Sequence, residues 1–286
     1  ASLPEPIRVV ADDVQRDNET AHALMEGLGL PSDVLTVNHA PFSKSDGCPS
    51  LPEDQALKAL EEQIQRFPNP SSYTNLSQQL WEVLGDGSAG YWPDWPCQAD
   101  YANQEARLNG SCMVTSEIME RLFMEWAGGM DLAWSKLSPC QLPSLMQLHD
   151  WERTAANAVP ELVARDQASI PYWVLNALEQ QGTQLFAGHD TTLNALQSIF
   201  ELYYTPMPWP PQATMPASAL RFDRRGHEVT ITYLYVDYAE ASGAMIQVPV
   251  TVPGNHFGKV EVRHLWRRAK RGTVRECVNM PMEVHV

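Results

Sequence analysis

Two short apolar segments, each followed at once by polar residues and a helical pattern, constrain the fold of this chain more than any other feature. Residues 7–11 read IRVVA and residues 183–187 read TQLFA, and both are typical of short strands. Helical spacing follows each of them, over residues 14–28 and 191–203. Strands followed by helices are characteristic of mixed α/β proteins, so we expect both ends of the chain to fold in this way.

Further strand patterns near the two ends support this expectation. They cover residues 34–39, 220–223, 228–238 and 245–251, and the second and third of them are predicted to pair through a turn at Arg225–Gly226. Asp12 and Asp13 offer N-cap oxygens to the first helix, and Gly27 and Gly29 with Pro31 are predicted to end it.

The middle of the chain shows helical patterns and almost no strand pattern. Helical spacing covers residues 51–67, 74–84, 114–126, 142–155 and 159–178, whereas residues 85–110 are rich in Gly, Pro and Trp and are predicted to form a long loop. We therefore predict a helical insertion at residues 49–165, between the two parts of an α/β domain at residues 1–48 and 166–286.

Charge and hydropathy exclude several kinds of protein. Among 286 residues, 20 Lys and Arg face 35 Asp and Glu, which gives a net charge of -15 and argues against a nucleic-acid partner. No apolar run approaches the ~20 residues that cross a bilayer, so we predict neither a membrane span nor a membrane partner. An acidic protein of this kind can bind phosphate only through a local pocket.

The five cysteines favour disulfides and an oxidising compartment. They are dispersed and include no CxxC pair, which argues against a structural zinc site. Cys97 and Cys112 flank one polar loop and are the easiest pair to bridge, and Cys277 is one candidate partner for Cys48. The odd count leaves a free thiol or a missing partner. Buried free thiols in a cytosolic protein are the alternative, and residues 1–4 carry no signal-peptide pattern.

The sharpest chemical feature is the run Gly188-His189-Asp190-Thr191 at the end of the strand at residues 183–187. In α/β sheets, ligands bind beyond the carboxyl ends of strands, and a helix N-terminus there favours an anion. His189 is therefore a candidate phosphate ligand and Asp190 a candidate proton donor. The alternative is a helix cap, made by Asp190 or Thr191 beside a packed His189.

Arg16 occupies a similar position after the first strand. Its guanidinium can bind two phosphate oxygens at once, although most arginines in such positions are solvated or pair with an Asp. The sites at Arg16 and His189 reinforce each other only if the two strands are neighbours in one sheet.

The same two segments carry a resemblance to a known family. Residues 7–28, IRVVADDVQRDNETAHALMEGL, resemble a strand–helix segment of bacterial histidine acid phosphatases, in particular the periplasmic 4-phytase and glucose-1-phosphatase group. Residues 185–203, LFAGHDTTLNALQSIFELY, resemble the second signature of that family. This resemblance implies a histidine-phosphatase-like α/β sheet flanked by helices, with an inserted all-α domain between the two segments.

The resemblance also implies roles for individual residues. Arg16 matches an arginine that binds phosphate, His189 an active-site histidine that stabilises the transferred phosphoryl group, and Asp190 the general acid. Thr191 is then a residue that lines the substrate site. Glu120 lies where phytase-like members place a carboxylate near the pocket, and a surface glutamate is the alternative reading of it.

One departure from the family is large. The family begins with a strand followed by RHGxRxP, whose histidine is the nucleophile, and this motif does not occur in the 286 residues. We therefore expect an N-terminally truncated chain that is inactive alone, with the nucleophile upstream of residue 1. None of the other histidines has the required context: His22, His39, His149, His227, His256, His264 and His285.

The function implied by the resemblance is that of an acid phosphomonoesterase that forms a phosphohistidine intermediate without a metal or cofactor. Its expected substrate is a small phosphorylated molecule (phytate, a sugar phosphate or another monoester), its expected location is the periplasm or outside the cell, and its expected state is a monomer. A non-catalytic phosphoester-binding protein is the alternative. A metal-dependent hydrolase using His189 and Asp190 is disfavoured, because the sequence shows no further clustered ligands.

Overall fold

The computed structural model describes residues 4–69, 71–85, 97–102, 105–236, 243–254 and 258–280. Within these ranges the strands are β1 (Ile7–Ala11), β2 (Leu35–Val37), β3 (Gln98–Ala102), β4 (Glu105–Asn109), β5 (Thr183–Ala187), β6 (Ala219–Arg225), β7 (Glu228–Val236), β8 (Met245–Pro249) and β9 (Lys259–Glu261). The α-helices are α1 (Gln15–Leu28), α2 (Glu53–Arg66), α3 (Tyr73–Leu84), α4 (Ser111–Ala127), α5 (Leu142–Leu145), α6 (Gln147–Asn157), α7 (Pro160–Asp166), α8 (Ile170–Glu179), α9 (Asp190–Phe200) and α10 (Val262–Gly272).

A three-stranded parallel sheet joins the two chain segments that carry the family resemblance. Its order is β2-β1-β5, and Ala11 at the end of β1 lies opposite Ala187 at the end of β5. The predicted strands at residues 7–11 and 183–187 are confirmed in their full length. Because parallel strands end at the same edge, the residues that follow β1, β2 and β5 leave the sheet together.

The helix after β1 begins without the predicted cap. Its N-cap is Val14, which makes no side-chain cap hydrogen bond, so the assignment of Asp12 and Asp13 as caps is wrong. The physical reason is that the buried Asp12 carboxylate accepts instead from the Asp13 backbone N–H and contacts His39. The predicted end is confirmed, because Gly29 takes the left-handed conformation with φ 67°.

The middle of the chain is helical except at one hairpin. The helices predicted at residues 51–67, 74–84 and 114–126 are confirmed as α2, α3 and α4. Each of the two predicted at residues 142–155 and 159–178 is divided in the structure, into α5 and α6 and into α7 and α8. The predicted loop at residues 85–110 is wrong in its last part, where β3 and β4 pair in antiparallel fashion. Their sequences, QADYA and EARLN, carry too few apolar residues to signal a strand. Residues 86–96 and 103–104 lie outside the described part of the chain.

An antiparallel sheet completes the α/β fold. β6 pairs with β7 through a turn at Gly226, as predicted, and β7 also pairs with β8 and β9. Residues 237–238, the predicted end of β7, are not among the described residues.

One apolar cluster includes residues of this sheet, such as Tyr233, and residues of the helices in the middle of the chain, such as Leu60 and Met119. The α/β fold class is thus confirmed, while the division into two domains stays a prediction.

One helix ends earlier than predicted, and another was not predicted at all. α9 ends at Phe200 rather than at residue 203, because Glu201 turns to φ 52° and Tyr203 forms a bridge with Thr251. The sequence analysis missed α10, although Val262, Leu265 and Ala269 mark its buried face. Among the described residues, no helix is both long and apolar enough to cross a bilayer.

Two disulfides cross-link the chain, one over 15 residues and one over 229. Cys97–Cys112 ties the residue before β3 to the first turn of α4, and Cys48–Cys277 ties the segment before α2 to the residues after α10. Cys140 is a free, exposed thiol. The structure contains both Cys97–Cys112, the pair predicted as the easiest to bridge, and Cys48–Cys277, the candidate pair.

We predict one reactive thiol per chain. Ellman's reagent should titrate Cys140 in the native protein, and the same single thiol after denaturation without reductant, because the other four cysteines are bonded. Cys140→Ser should bring both values to zero. A second thiol in the denatured, unreduced protein would contradict the bridges described here.

Candidate active site

The shared edge of the parallel sheet brings Arg16 and His189 into contact. Arg16 lies in the first turn of α1, His189 precedes α9, and Arg16 Nε lies 3.2 Å from His189 Nδ1, across 173 residues of sequence. Because Arg Nε can only donate, His189 Nδ1 accepts, and the proton of a neutral His189 is placed on Nε2. The two strand-end sites are therefore one site.

Two buried carboxylates face the other nitrogen of His189. Its Nε2 lies 3.1 Å from Asp17 Oδ2 and 3.6 Å from Asp12 Oδ2. Asp12 is 2% exposed and Asp17 is 3% exposed. Burial raises the pKa of Asp17, and the neighbouring charge of Asp12 adds to that rise, whereas His189 opposes it. This side of the site becomes less negative when the solution is made acidic.

His39 is a member of the site that the sequence analysis missed. It follows β2, and its Nδ1 lies 2.5 Å from Asp12 Oδ1 and 3.3 Å from Asp13 Oδ1. The hydrogen bond to Asp12 raises the pKa of His39. Asp12 is therefore hydrogen-bonded to His39 through Oδ1, while its Oδ2 lies near His189 without a hydrogen bond.

These side chains are also the ones that could hold a cation. Ligand atoms of Asp12, Asp17 and His189 lie within 4.8 Å of one another, as do those of Asp12, Asp13 and His39. The expectation that His189 has no clustered ligands around it is therefore wrong. The spacing of these residues along the chain could not reveal the clusters, because three different strands bring them together.

Asp190 lies on the other side of the site, beside a second arginine. Its Oδ1 accepts from the Thr191 backbone N–H at 2.9 Å, and its Oδ2 is 3.7 Å from Arg153 Nε. Neither Asp190 nor Thr191 is the N-cap of α9, which is His189, without a side-chain cap hydrogen bond. The alternative reading of this motif as a helix cap therefore has no support in the geometry.

Arg153 connects Asp190 to the predicted substrate residue Glu120. Its guanidinium donates to Glu120 Oε2 at 2.9 Å and lies 3.9 Å from Glu152 Oε2. Burial lowers the pKa of Arg153, but Asp190, Glu152 and Glu120 together outweigh that effect and raise it. Glu120 thus reaches the site through Arg153, a residue of α6 that the sequence analysis did not single out.

A buried polar network fixes α6 against α4 behind Arg153. Ser116 Oγ donates to Glu152 Oε2 at 3.0 Å and lies 3.0 Å from His149 Nδ1. Burial lowers the pKa of His149 and raises the pKa of Glu152. Because these side chains are packed on both helices, the position of Arg153 beside Asp190 is fixed by the fold.

The backbone at Gly188 lies so close to the Phe42 ring that a side chain at this position would collide with it. A Cβ at this position would lie 2.6 Å from Phe42 Cε1 and 2.9 Å from Phe42 Cδ1, both far inside contact distance. The Phe42 ring is buried in the 3-10 helix at Ala40–Phe42, which follows β2. This packing fixes the backbone that presents His189 and Asp190.

We predict that Arg153→Met destabilises the protein by about 2 kcal/mol at about pH 8, because Glu152 would remain as a buried carboxylate without its cation. The loss should shrink at about pH 5, since removing the cation raises the pKa of Glu152 further and protonation then relieves the unpaired charge. Urea unfolding at the two pH values measures the difference.

The exposed Arg121 on α4 provides the matched control for this substitution. Arg121→Met should change the free energy of unfolding little at either pH. If Arg153→Met lowered the free energy of unfolding equally at both pH values, Arg153 would not be compensating the buried charge of Glu152.

Solved bacterial phytases share the fold of this chain. The phytase from Citrobacter braakii superposes with a TM-score of 0.80 at 21% identity, over 98% of this chain and 83% of that one. The Hafnia alvei phytase in complex with myo-inositol hexakis sulphate gives 0.79 at 20% identity, over 97% and 81%. The phytase of Klebsiella sp. ASR1 gives 0.77 at 16% identity, over 99% and 79%.

No protein-family model matches the sequence, and no curated protein matches it significantly. The likeness therefore lies in the three-dimensional structure. At the level of the fold it confirms the resemblance to the phytase group of histidine acid phosphatases: the chain has the fold of bacterial phytases.

Proposed function

We propose that this chain belongs to a phosphomonoester hydrolase of the histidine acid phosphatase type. The observation that carries this proposal is the contact of Arg16 Nε with His189 Nδ1 at 3.2 Å, with Asp190 as the next residue in the chain. A guanidinium, an imidazole and a carboxylic acid at the carboxyl edge of a parallel sheet are the groups that, beside a nucleophile, phosphoryl transfer from an alcohol oxygen needs.

Arg16 and His189 would bind the transferred phosphoryl group. The Arg16 side chain is exposed, so its remaining N–H groups can donate to two phosphoryl oxygens. His189 can offer Nε2–H, which in the absence of substrate faces Asp17 and Asp12. The charge that develops on the phosphoryl oxygens would be stabilised by these donors without a metal ion.

Asp190 would protonate the leaving alcohol oxygen. Its side chain is 31% exposed, so a substrate can reach it, and Thr191 lies beside it at the start of α9. Arg153 would hold Asp190 in place on one side and Glu120 on the other. In this arrangement Thr191 lines the substrate site, and Glu120 acts at its margin rather than on phosphorus.

The carboxylates near His189 lead us to expect that the site binds its substrate best at acidic pH. Asp12 and Asp17 lie within 3.6 Å of His189, and their charges oppose an incoming phosphate dianion. Asp17 has a raised pKa and loses its charge as the pH falls, while His39 gains a charge. Both changes favour anion binding in acid.

The nucleophile is the part of the reaction that these residues do not supply, because the RHGxRxP motif is not among them. In the proposed reaction, a histidine nitrogen from another segment attacks phosphorus. The P–O bond to the alcohol then breaks, and the departing oxygen takes the proton of Asp190. Water next attacks the phosphohistidine and gives its proton to Asp190, which releases inorganic phosphate and the free histidine.

We infer the setting of the reaction from the disulfides, and the kind of substrate from the Arg16–His189 pair. Two disulfides in a chain of this size are typical of an oxidising compartment, so we place the protein in the periplasm or outside the cell. The substrate would be a small phosphomonoester, such as phytate or a sugar phosphate. A non-catalytic phosphoester-binding protein would use the same Arg16–His189 pair and would differ in having no turnover.

We predict that sulfate binds the Arg16–His189 pair more tightly, by about tenfold, at about pH 5 than at about pH 8. Sulfate keeps its double charge over this range, so the change reports the loss of charge on Asp17 and the gain on His39. The measurement is an NMR titration that follows the backbone amides of residues 188–191.

Arg16→Ala should abolish these local shifts, whereas Arg66→Ala, which removes an exposed arginine of α2, should leave them unchanged. Binding that strengthens towards alkaline pH, or that survives in Arg16→Ala, would contradict the assigned oxyanion site.

We predict that Asp190→Asn slows alkyl phosphates by about a hundredfold or more, and aryl phosphates much less. An aryl leaving group departs without a proton, whereas an alkoxide needs one. The assay uses the chain with an RHGxRxP segment placed before residue 1, and steady-state rates with the two ester classes are compared.

The 286 residues alone should turn over neither class of ester at a useful rate. Robust hydrolysis by this chain, lost in His39→Ala, would make His39 the nucleophile and contradict the mechanism above. Equal losses with alkyl and aryl esters in Asp190→Asn would contradict the role of Asp190 as the general acid.

A further inference from the structure

The exposed face of α10 carries a charge opposite to that of the whole chain. Seven of the 20 Lys and Arg fall within residues 259–275, where Glu261 is the one acidic residue. Val262, Leu265 and Ala269 turn the other face of α10 into the protein. The result is a concentrated positive surface on a molecule with a net charge of -15.

Three of these cations already form ion pairs within the protein, and one of them is Lys259, which lies 3.8 Å from Glu228 Oε2. Arg268 forms an ion pair with Glu201 and donates to the Pro253 carbonyl oxygen at 3.1 Å, and Arg263 forms an ion pair with Glu261. By contrast, Arg267, Lys270 and Arg271 are exposed and make no ion pair with any described Asp or Glu. We call these three residues, together with His264, the basic face.

The basic face lines an open depression in the protein surface. His264, Arg267, Lys270 and Arg271 line a cavity of about 460 Å³ together with Arg268, Pro253 and Gly254. Its volume falls in the range of small-molecule sites. The hydrogen bond from Arg268 to Pro253 holds the opposite wall against the helix, so the cavity is part of the fold.

This cavity is separate from the candidate active site. Arg268 contacts Glu201 and the Phe200 carbonyl oxygen, at the C-terminal end of α9, whereas Asp190 begins that helix. A helix of 11 residues spans about 16 Å. A ligand in one site therefore cannot also contact the other unless it is longer than that.

We propose that the basic face binds a small molecule that carries several phosphate groups. Residues three and four apart on a helix are ~5–6 Å from each other, which matches neighbouring phosphates better than one isolated anion. Arg guanidinium groups bind phosphate oxygens in pairs, and Lys270 adds a point charge between them. This site does not depend on the function proposed for Arg16 and His189.

A membrane surface and a nucleic acid fit the observations less well. Helices that lie on membranes insert an apolar face, but the apolar face of α10 is buried in the protein. A long nucleic acid would extend beyond the patch over a surface with a large negative charge. The small cavity favours a compact polyanion.

The test is a calorimetric titration of the 286-residue chain with inorganic tripolyphosphate at about pH 8, where carboxylates oppose binding at the Arg16 site. Arg267→Ala/Arg271→Ala should weaken binding at least tenfold. Arg66→Ala/Arg121→Ala, which removes two exposed helical arginines elsewhere, should not, and Arg16→Ala should bind as the unmodified chain does. All of these side chains are exposed, and circular dichroism verifies that each variant is folded.

Several results would overturn the proposal. They are no binding of tripolyphosphate, equal binding by Arg267→Ala/Arg271→Ala, or an equal loss in Arg66→Ala/Arg121→Ala. The same holds if phosphatidylglycerol vesicles or duplex DNA bind through the basic face while tripolyphosphate does not. Loss of binding in Arg16→Ala alone would assign the signal to the candidate active site and would also contradict the proposal.

Discussion

The parallel pairing of β1 with β5 is the interaction on which the candidate site depends. Its register places Ala11 opposite Ala187, so the chain leaves both strands at the same height of the sheet. A slip of one residue would turn the side chains of a strand to the opposite face and separate the polar residues that follow. The contact between Arg16 and His189 is therefore a consequence of backbone pairing rather than of attraction between the two side chains.

This pairing also concentrates negative charge where an anion is expected to bind. Asp12 is almost fully buried, is hydrogen-bonded to His39 and lies 3.6 Å from His189, so both imidazoles stand beside a carboxylate. Asp17 adds a second buried carboxylate, and burial raises its pKa. The site is therefore less negative in acid than at alkaline pH. An oxyanion should bind better in acid, because Asp17 is then less charged and His39 more so.

The sequence predicts the parts of this structure that are encoded locally. The strand ends, the helix after each of them, and the Gly188-His189-Asp190 run follow from periodicity and position, and the structure has them where they were expected. His39 and Arg153 could not be found in this way, because their hydrogen-bond partners Asp12 and Glu120 lie 27 and 33 residues away along the chain and become neighbours only through the fold. The hairpin β3–β4 has almost no apolar alternation to reveal it, whereas the spacing of Val262, Leu265 and Ala269 would have revealed α10.

The candidate site and the basic face lie at opposite ends of α9, and they differ in how protons control them. At the N-terminal end, Asp17 and His39 have raised pKa values, so acid changes the charge that an anion meets. At the C-terminal end, the basic face consists mainly of exposed Arg and Lys side chains, so added salt should screen its attraction for an anion. One helix thus separates two proposed anion sites, and only the one at its N-terminal end is expected to change with the charges of Asp17 and His39.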